Sequence, residues 1–265
     1  MSILVCPFCG VALARDGASY FCGGAKRHCF DIAKSGYVSL TRASGTSGDD
    51  RDMVRARTAF LEEGYYAPFA DAVADAAKGC AVIVDAGCGE GYYTNRLASD
   101  GAQVYGFDLS KYACDHGAKC AKRAENGAFF GVASVFELPI ADESADAVVS
   151  LFAPIAEKEF SRILEPGGRL IVGAAGRRHL YELKQAIYAE AYENEGRRDL
   201  PEGFALLSQE NVTYTFDCAG EHLRPLFSMT PYAFKTSISD AAKLDALERL
   251  TITADFDIFI YEKRR

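Results

Sequence analysis

From residue 54 onward the apolar positions switch between two periods. Val54, Ala59 and Phe60, then Phe69, Val73 and Ala76, recur at helical spacing, which predicts helix over 54–78 with a break near Gly64. Residues 81–86 begin with four apolar residues in a row, the pattern of a strand buried on both faces. A glycine-rich turn and a helical segment follow. Residues 103–108 then predict a second strand, 110–125 a helix, 129–132 a short strand and 146–152 another buried strand. Glu165-Pro166-Gly167-Gly168 reads as a turn into a strand at 169–174, and a long helix is expected from His179 to about Glu193. Two late segments, 213–218 and 252–262, alternate polar with apolar residues, as an antiparallel edge would. Buried strands alternating with helices imply an α/β fold, a parallel sheet covered by helices on both faces.

Ahead of this domain the pattern is different. Residues 1–40 hold short β-like runs at 19–22 and 37–40 and four of the nine cysteines. Residues 41–53 are rich in Thr, Ser, Gly and Asp, the composition of a flexible linker. The expected organisation is a small module at 1–40, a linker at 41–53 and a large domain at 54–265. Composition changes this little: 49% hydrophobic and 25% charged residues belong to an ordinary globular protein. No apolar run approaches the roughly 20 residues that span a bilayer, and the N-terminus lacks the basic and apolar regions of a signal peptide. A cytoplasmic location without membrane contact is expected. The net charge of −8 argues against binding nucleic acid over the whole surface. It is unevenly spread, however: residues 1–60 carry eight Lys or Arg against five Asp or Glu, a net of +3, so the rest carries −11. A basic recognition module on an acidic body fits that asymmetry, as does an ordinary solvated face.

The first candidate chemistry lies in the glycine turn, Asp85-Ala86-Gly87-Cys88-Gly89-Glu90-Gly91. Glycines between a strand and a helix let backbone approach a ligand closely. Asp85 and Glu90 would repel a dinucleotide pyrophosphate but suit the sulfonium and ammonium of S-adenosylmethionine, and G-x-G-x-G differs from the dinucleotide G-x-G-x-x-G. Asp108 ends the second strand, 17 residues beyond Gly91, where doubly wound folds bind ribose hydroxyls. Ser134, Phe152 and Pro154 follow later strands at the same carboxyl edge, so Ser134 joins the cofactor candidates and the other two would wall adenine or an acceptor base. Leu151-Phe152-Ala153-Pro154 departs from the Asn/Asp-Pro-Pro-Tyr/Phe pattern of exocyclic-amine methyltransferases. Ala153 offers no oxygen to such an amine, which favours a ring nitrogen or another acceptor.

The second is a metal site. Cys6-Pro7-Phe8-Cys9 is a two-residue-spaced pair, Cys22 follows after twelve residues, and His28 or Cys29 would complete four ligands. This spacing fits tetrahedral zinc in a closed, structural site. A forty-residue segment lacks the core to fold alone, and metal binding supplies the difference. The remaining five cysteines, Cys80, Cys88, Cys114, Cys120 and Cys218, are scattered and read as small buried hydrophobes.

Taken in order, these segments resemble the bacterial 23S rRNA (guanine-N1)-methyltransferases, which place a zinc module before a Rossmann-like methyltransferase domain. The resemblance runs over essentially the whole chain. It rests on Cys6-Pro7-Phe8-Cys9, Cys22, His28, residues 30–38, Ala56-Arg57-Thr58-Ala59-Phe60-Leu61, Gly64-Tyr65-Tyr66, residues 85–94, Pro166-Gly167-Gly168, Arg178-His179-Leu180 and Met229-Thr230-Pro231. It implies a class I methyltransferase domain with a mostly parallel seven-stranded sheet, and zinc held by Cys6, Cys9, Cys22 and His28. Tyr66 and His179 would join Asp85, Gly87, Gly89, Glu90, Gly91, Asp108 and Ser134 around S-adenosylmethionine. The implied reaction is methyl transfer to N1 of a guanine in a 23S rRNA hairpin loop, by a homodimer. No catalytic base is assignable from sequence. Two competing readings are a small-molecule methyltransferase of the same fold and a non-catalytic RNA-binding protein that retains the cofactor as a ligand.

Overall fold

The computed structural model describes residues 3–42, 48–98, 101–196 and 200–264. Three short strands, β1 (Leu13–Asp16), β2 (Ser19–Cys22) and β3 (Cys29–Asp31), form an antiparallel sheet in that order. β4 (Val38–Ser39) leaves this sheet and pairs in parallel with the edge of the large one. The chain continues through α1 (Arg51–Leu61), α2 (Ala67–Ala76), β5 (Val82–Ala86), α3 (Tyr92–Ala98), β6 (Gln103–Asp108), α4 (Lys111–Ala124), β7 (Phe129–Val132), β8 (Ala145–Leu151), α5 (Glu157–Ile163) and β9 (Leu164–Ala175). It closes with α6 (Tyr181–Ile187), β10 (Phe204–Ala219), α7 (Gly220–Ser228) and β11 (Arg249–Lys263). No helix among the described residues is long and apolar enough to cross a membrane.

The large sheet runs β10-β11-β9-β8-β5-β6-β7-β4. β11 is antiparallel to both neighbours, whereas the pairs among β4, β5, β6, β7, β8 and β9 are parallel. The expected class I arrangement is therefore present, with eight strands rather than seven. The extra one is β4, whose two residues read as part of the small module. Small side chains let α4 lie close to this sheet: Ala113, Cys114, Gly117, Ala118 and Ala121 are its buried residues, and Ser110 caps it by accepting from the Ala113 N–H at 3.2 Å.

Three sequence expectations shift. Residues 51–53 are helix rather than linker, because Asp50 caps α1 by accepting from the Asp52 and Met53 N–H groups, both at 2.9 Å; residues 43–47 of that segment lie outside the described residues. The long helix from His179 stops at Ile187. Beyond it side chains bind backbone that a helix would need, with Lys184 Nζ donating to the Tyr192 carbonyl at 3.1 Å and Asn194 Nδ2 to the Gly176 and His179 carbonyls at 2.9 and 3.0 Å. Residues 165–168, expected as a turn, lie within β9 at a register shift against β8.

The N-terminal module is not a separate bead. Leu4 bridges to Ile140, the Val5 N–H donates to the Pro139 carbonyl at 2.9 Å and the Leu40 N–H to Val132 at 2.9 Å. Leu4, Leu13, Phe30, Val38 and Leu40 share a buried cluster with Val84, Phe107, Leu138 and Ile140 of the large domain. The module thus covers the β7 edge, which would otherwise present unpaired backbone groups.

Candidate active site

A cavity of about 670 Å³ opens at the carboxyl ends of β5, β6, β7 and β8, the edge where open parallel sheets bind ligands. The glycine turn forms its floor. Gly87 adopts φ +84°, and a Cβ there would lie 2.6 Å from that of Ala153, so a side chain is excluded both by conformation and by space. Asp85, at the end of β5, is 1% exposed and accepts from the Thr94 hydroxyl at 2.6 Å. Burial pushes its carboxyl up to about 7. Glu90 is 4% exposed and also raised by burial, an effect opposed by Arg57, whose Nη1 lies 3.6 Å from Oε2. That Oε2 is buried and accepts no hydrogen bond, an acceptor with its capacity unspent. Asp108 accepts from the Gly89 N–H at 3.1 Å and from the Ser110 N–H at 2.7 Å. Both bonds aim the carboxylate at the cavity and leave lone pairs for a pair of hydroxyls.

Across the cavity, Tyr66 and His179 meet with 3.3 Å between Oη and Nε2. The Asp255 N–H points at His179 Nδ1 at 3.3 Å, so Nδ1 is the acceptor and Nε2 carries the proton. Nε2 then donates to Tyr66, whose own hydroxyl proton is left for a ligand. Burial holds His179 down to about 3, so the ring is neutral. Ser134 lines the same cavity beyond β7.

Eight of the nine cofactor candidates therefore surround one space: Tyr66, Asp85, Gly87, Gly89, Glu90, Asp108, Ser134 and His179. Gly91 is not among its lining residues. A Cβ on it would strike the Phe130 ring at 2.6 Å, so its place in the turn is set by helix–sheet packing. Phe152 and Pro154 line the wall. Phe152 is half exposed and held at φ +55°, an uncommon conformation for an aromatic residue. Arg177 and Arg178 both pair with Glu193, at 3.0 and 3.5 Å. Sequence reasoning assigned no role to Arg57, Asp49, Leu226 or Phe234, which also line the cavity. Of these only Arg57 carried a signal in the sequence, since it falls within the resemblance segment 56–61.

The buried orphan Oε2, the side-chain-free floor and three carboxylates fit a ligand with a cation and several hydroxyls, as S-adenosylmethionine has. Asp85 and Glu90 would face its charged end and Asp108 its ribose.

The metal ligands are equally well gathered. The Sγ atoms of Cys6, Cys9 and Cys22 and a ring nitrogen of His28 all lie within 4.8 Å of one another. His28 Nδ1 is 3.4, 3.7 and 3.4 Å from Cys6, Cys9 and Cys22, and Cys9 is 3.8 Å from Cys22. Bond lengths of ~2.3 Å to sulfur and ~2.0 Å to nitrogen in a tetrahedron give edges of about 3.5–3.8 Å. The set fits zinc and leaves no position open. The His28 N–H donates to Cys22 Sγ at 3.1 Å, which holds that thiol down to about 6 and favours the thiolate a metal needs. Cys29 stands apart: on β3, Phe30 points inward and Cys29 outward, its Sγ 3.7 Å from Asp31.

Comparison with known proteins gives two family models, "Methyltransferase domain" over residues 84–172 and "RlmA, N-terminal", a zinc ribbon, over residues 4–42. A 23S rRNA (guanine(748)-N(1))-methyltransferase of Streptomyces fradiae is 30% identical over 96% of this chain and 95% of its own length. The chain belongs to the 23S rRNA (guanine-N1)-methyltransferase family. A putative member from Bacillus subtilis, YxjB, is 29% identical over 98% of this chain and 96% of its own. Among solved structures, the YcgJ protein of Bacillus subtilis matches 74% of this chain and 98% of its own with a TM-score of 0.50 at 12% identity, a likeness of fold. Within the family's two-part layout, the zinc ribbon match ends at residue 42 and the methyltransferase match begins on β5, directly before the acidic turn.

Proposed function

We propose that this protein transfers a methyl group from S-adenosylmethionine to N1 of a guanine in a hairpin loop of 23S rRNA. The observation that carries this reading is one cavity with two kinds of wall. Asp85, Glu90 and Asp108 line one side, and Phe152, Pro154, Met229, Pro231 and Phe234 line another. Phe136, Phe152 and Phe234 at this cavity are 62%, 52% and 76% exposed, far more than apolar rings are in an ordinary core. An acidic half suits a cationic donor; exposed flat rings suit an unstacked base. When bound, S-adenosylmethionine would supply a methyl group on a sulfonium: the ring nitrogen would bond to the methyl carbon as the carbon–sulfur bond breaks, the neutral thioether S-adenosylhomocysteine would leave, and the N1 proton would pass to water. The protein's part is then to orient, to exclude water and to set the local charge.

The zinc module, bearing Lys26, Arg27 and Lys34, would contact rRNA phosphates as part of recognition. The enzyme would work in the cytoplasm beside its substrate, and as a homodimer, a state that light scattering of the purified protein measures directly. Residues 1–40, 41–53 and 54–265 would divide these tasks as recognition, connection and catalysis. The decisive experiment incubates purified protein with labelled S-adenosylmethionine and 23S rRNA transcript. Label in the RNA, with a primer-extension stop at one guanine in a hairpin loop, is expected. Transfer to small acceptors with none to RNA would refute the proposal.

A further inference from the structure

Arg57 is the one cation among the described residues lining the cavity, against four carboxylates, Asp49, Asp85, Glu90 and Asp108. Its side chain is 23% exposed and reaches in from α1. It makes a tight pair with Asp49, at 2.5 Å, and a long one with Glu90, at 3.6 Å. The two contacts differ in kind. The first is a charge-assisted hydrogen bond; the second exceeds hydrogen-bond reach and acts through charge alone. Glu90 Oε2 is left buried, neutralised and without a hydrogen-bond donor.

Asp49 belongs to the segment that joins the zinc module to α1. The Asp49 carbonyl accepts from the Ser110 hydroxyl at 2.5 Å, and Gly48 sits so close to Ser110 that a Cβ would meet its nitrogen at 2.9 Å. Ser110 lies two residues beyond Asp108. The pair with Arg57 therefore fastens residues 48–50 over the edge of the cavity that Asp108 marks.

We propose that Arg57 is a positioning residue of the donor pocket, which keeps Glu90 ionised with one oxygen free for a donor group of S-adenosylmethionine and holds residues 48–50 across the ribose edge. The assignment rests on the methyltransferase reading above. Asp85 from β5, Tyr92 and Tyr93 from α3 and His116 from α4 interact with the charge of Glu90, and Asp49 from the joining segment and Asp108 from β6 line the same cavity. His116 supports ionisation, as do the backbone N–H groups of Glu90 and Tyr92, whereas burial opposes it. Without the guanidinium, burial and the surrounding carboxylates would keep Glu90 protonated to higher pH.

The test is calorimetric titration of S-adenosylmethionine into the full-length protein and into Arg57→Met, Glu90→Gln and the double variant, from about pH 6.5 to 8.5. Arg57→Met should weaken binding at least about tenfold at the acid end, and the deficit should shrink as pH rises and Glu90 ionises. Glu90→Gln should weaken binding by a factor that varies less with pH than that of Arg57→Met, and the double variant should be weaker than Glu90→Gln only by the pH-independent part that fastening residues 48–50 contributes, short of the product of the two single deficits at the acid end. Arg57→Lys should restore most of the affinity, which separates lost charge from lost folding. Deficits that multiply in the double variant, or an Arg57→Met deficit constant with pH, would overturn the proposal. Wild-type protein that fails to bind S-adenosylmethionine at all would overturn the methyltransferase reading, and this proposal with it.

Discussion

Asp85 shows how a single residue trades stability for binding. Its carboxyl is raised to about 7, chiefly by burial, against an ordinary value near 3.8. A group raised in the folded state is stabilising below its unfolded pKa and loses that contribution as pH climbs through the folded one. The cofactor-free protein should therefore lose stability between about pH 4 and pH 7 through this residue. Asp85→Asn is neutral at every pH and still offers an oxygen to Thr94. Its stability advantage over wild type should widen by on the order of 2 kcal/mol between pH 5 and pH 8.5, read as thermal midpoints of the cofactor-free proteins. The same variant should bind S-adenosylmethionine more weakly, since the cation loses a counter-charge. An advantage that narrows with rising pH would show that the carboxylate is not buried unpaired. At this scale the sequence was informative about residue type: acids flanking a glycine turn pointed to a cation. It did not reveal the environment, because the burial of Asp85 and the bare Oε2 of Glu90 come from segments distant in the chain.

Among elements, the strand–turn–helix from β5 to α3 separates two roles that glycine plays. Gly89 and Gly91 both have positive φ, at +53° and +86°. A Cβ on Gly91 would meet the Phe130 ring and Gly117, whereas one on Gly89 would meet only the tip of Arg57, at 3.2 Å. Gly91→Ala should therefore cost stability, about 2–4 kcal/mol from overpacking and strain. Gly89→Ala should cost about 1 kcal/mol of stability but lose cofactor affinity. Denaturant unfolding and calorimetry on the two variants separate these effects; equal losses in both measurements would contradict it. The turn and most strands were legible because short periodic segments encode their own exposure. The helix expected from His179 to Glu193 was not, since Lys184 and Asn194 bind backbone across the loop and no local pattern records that. Likewise Asp50 looked like one more polar linker residue until its bonds to the first turn of α1 identified it as a cap.

For the whole molecule, the metal site and the cavity are joined by a short path. Arg42 donates to the Pro7 carbonyl in the Cys6–Cys9 turn and pairs with Glu137 at 3.1 Å. Glu137 closes the turn that begins at Ser134, whose residues Ser134, Val135 and Phe136 line the cavity. Backbone bonds from Val5 to Pro139 and from Ala141 to Ile3 fasten the same stretch. Removing zinc by chelation, or by Cys22→Ala, should thus weaken S-adenosylmethionine binding several-fold as well as lower the thermal midpoint; a chelated protein with undiminished affinity would show the module to be energetically separate. Sequence alone determined the class of fold, the donor chemistry of the glycine turn and the three cysteine ligands of the metal site, since each is written in local spacing: period 2 or 3.6, glycines between strand and helix, cysteines two residues apart. Tertiary structure decided the rest. It chose His28 over Cys29 by the alternation of β3, made β4 an eighth strand, moved Gly91 off the cavity and brought in Arg57 and Phe234. Those outcomes depend on which distant surfaces meet, and contacts across tens of residues leave no period in the chain.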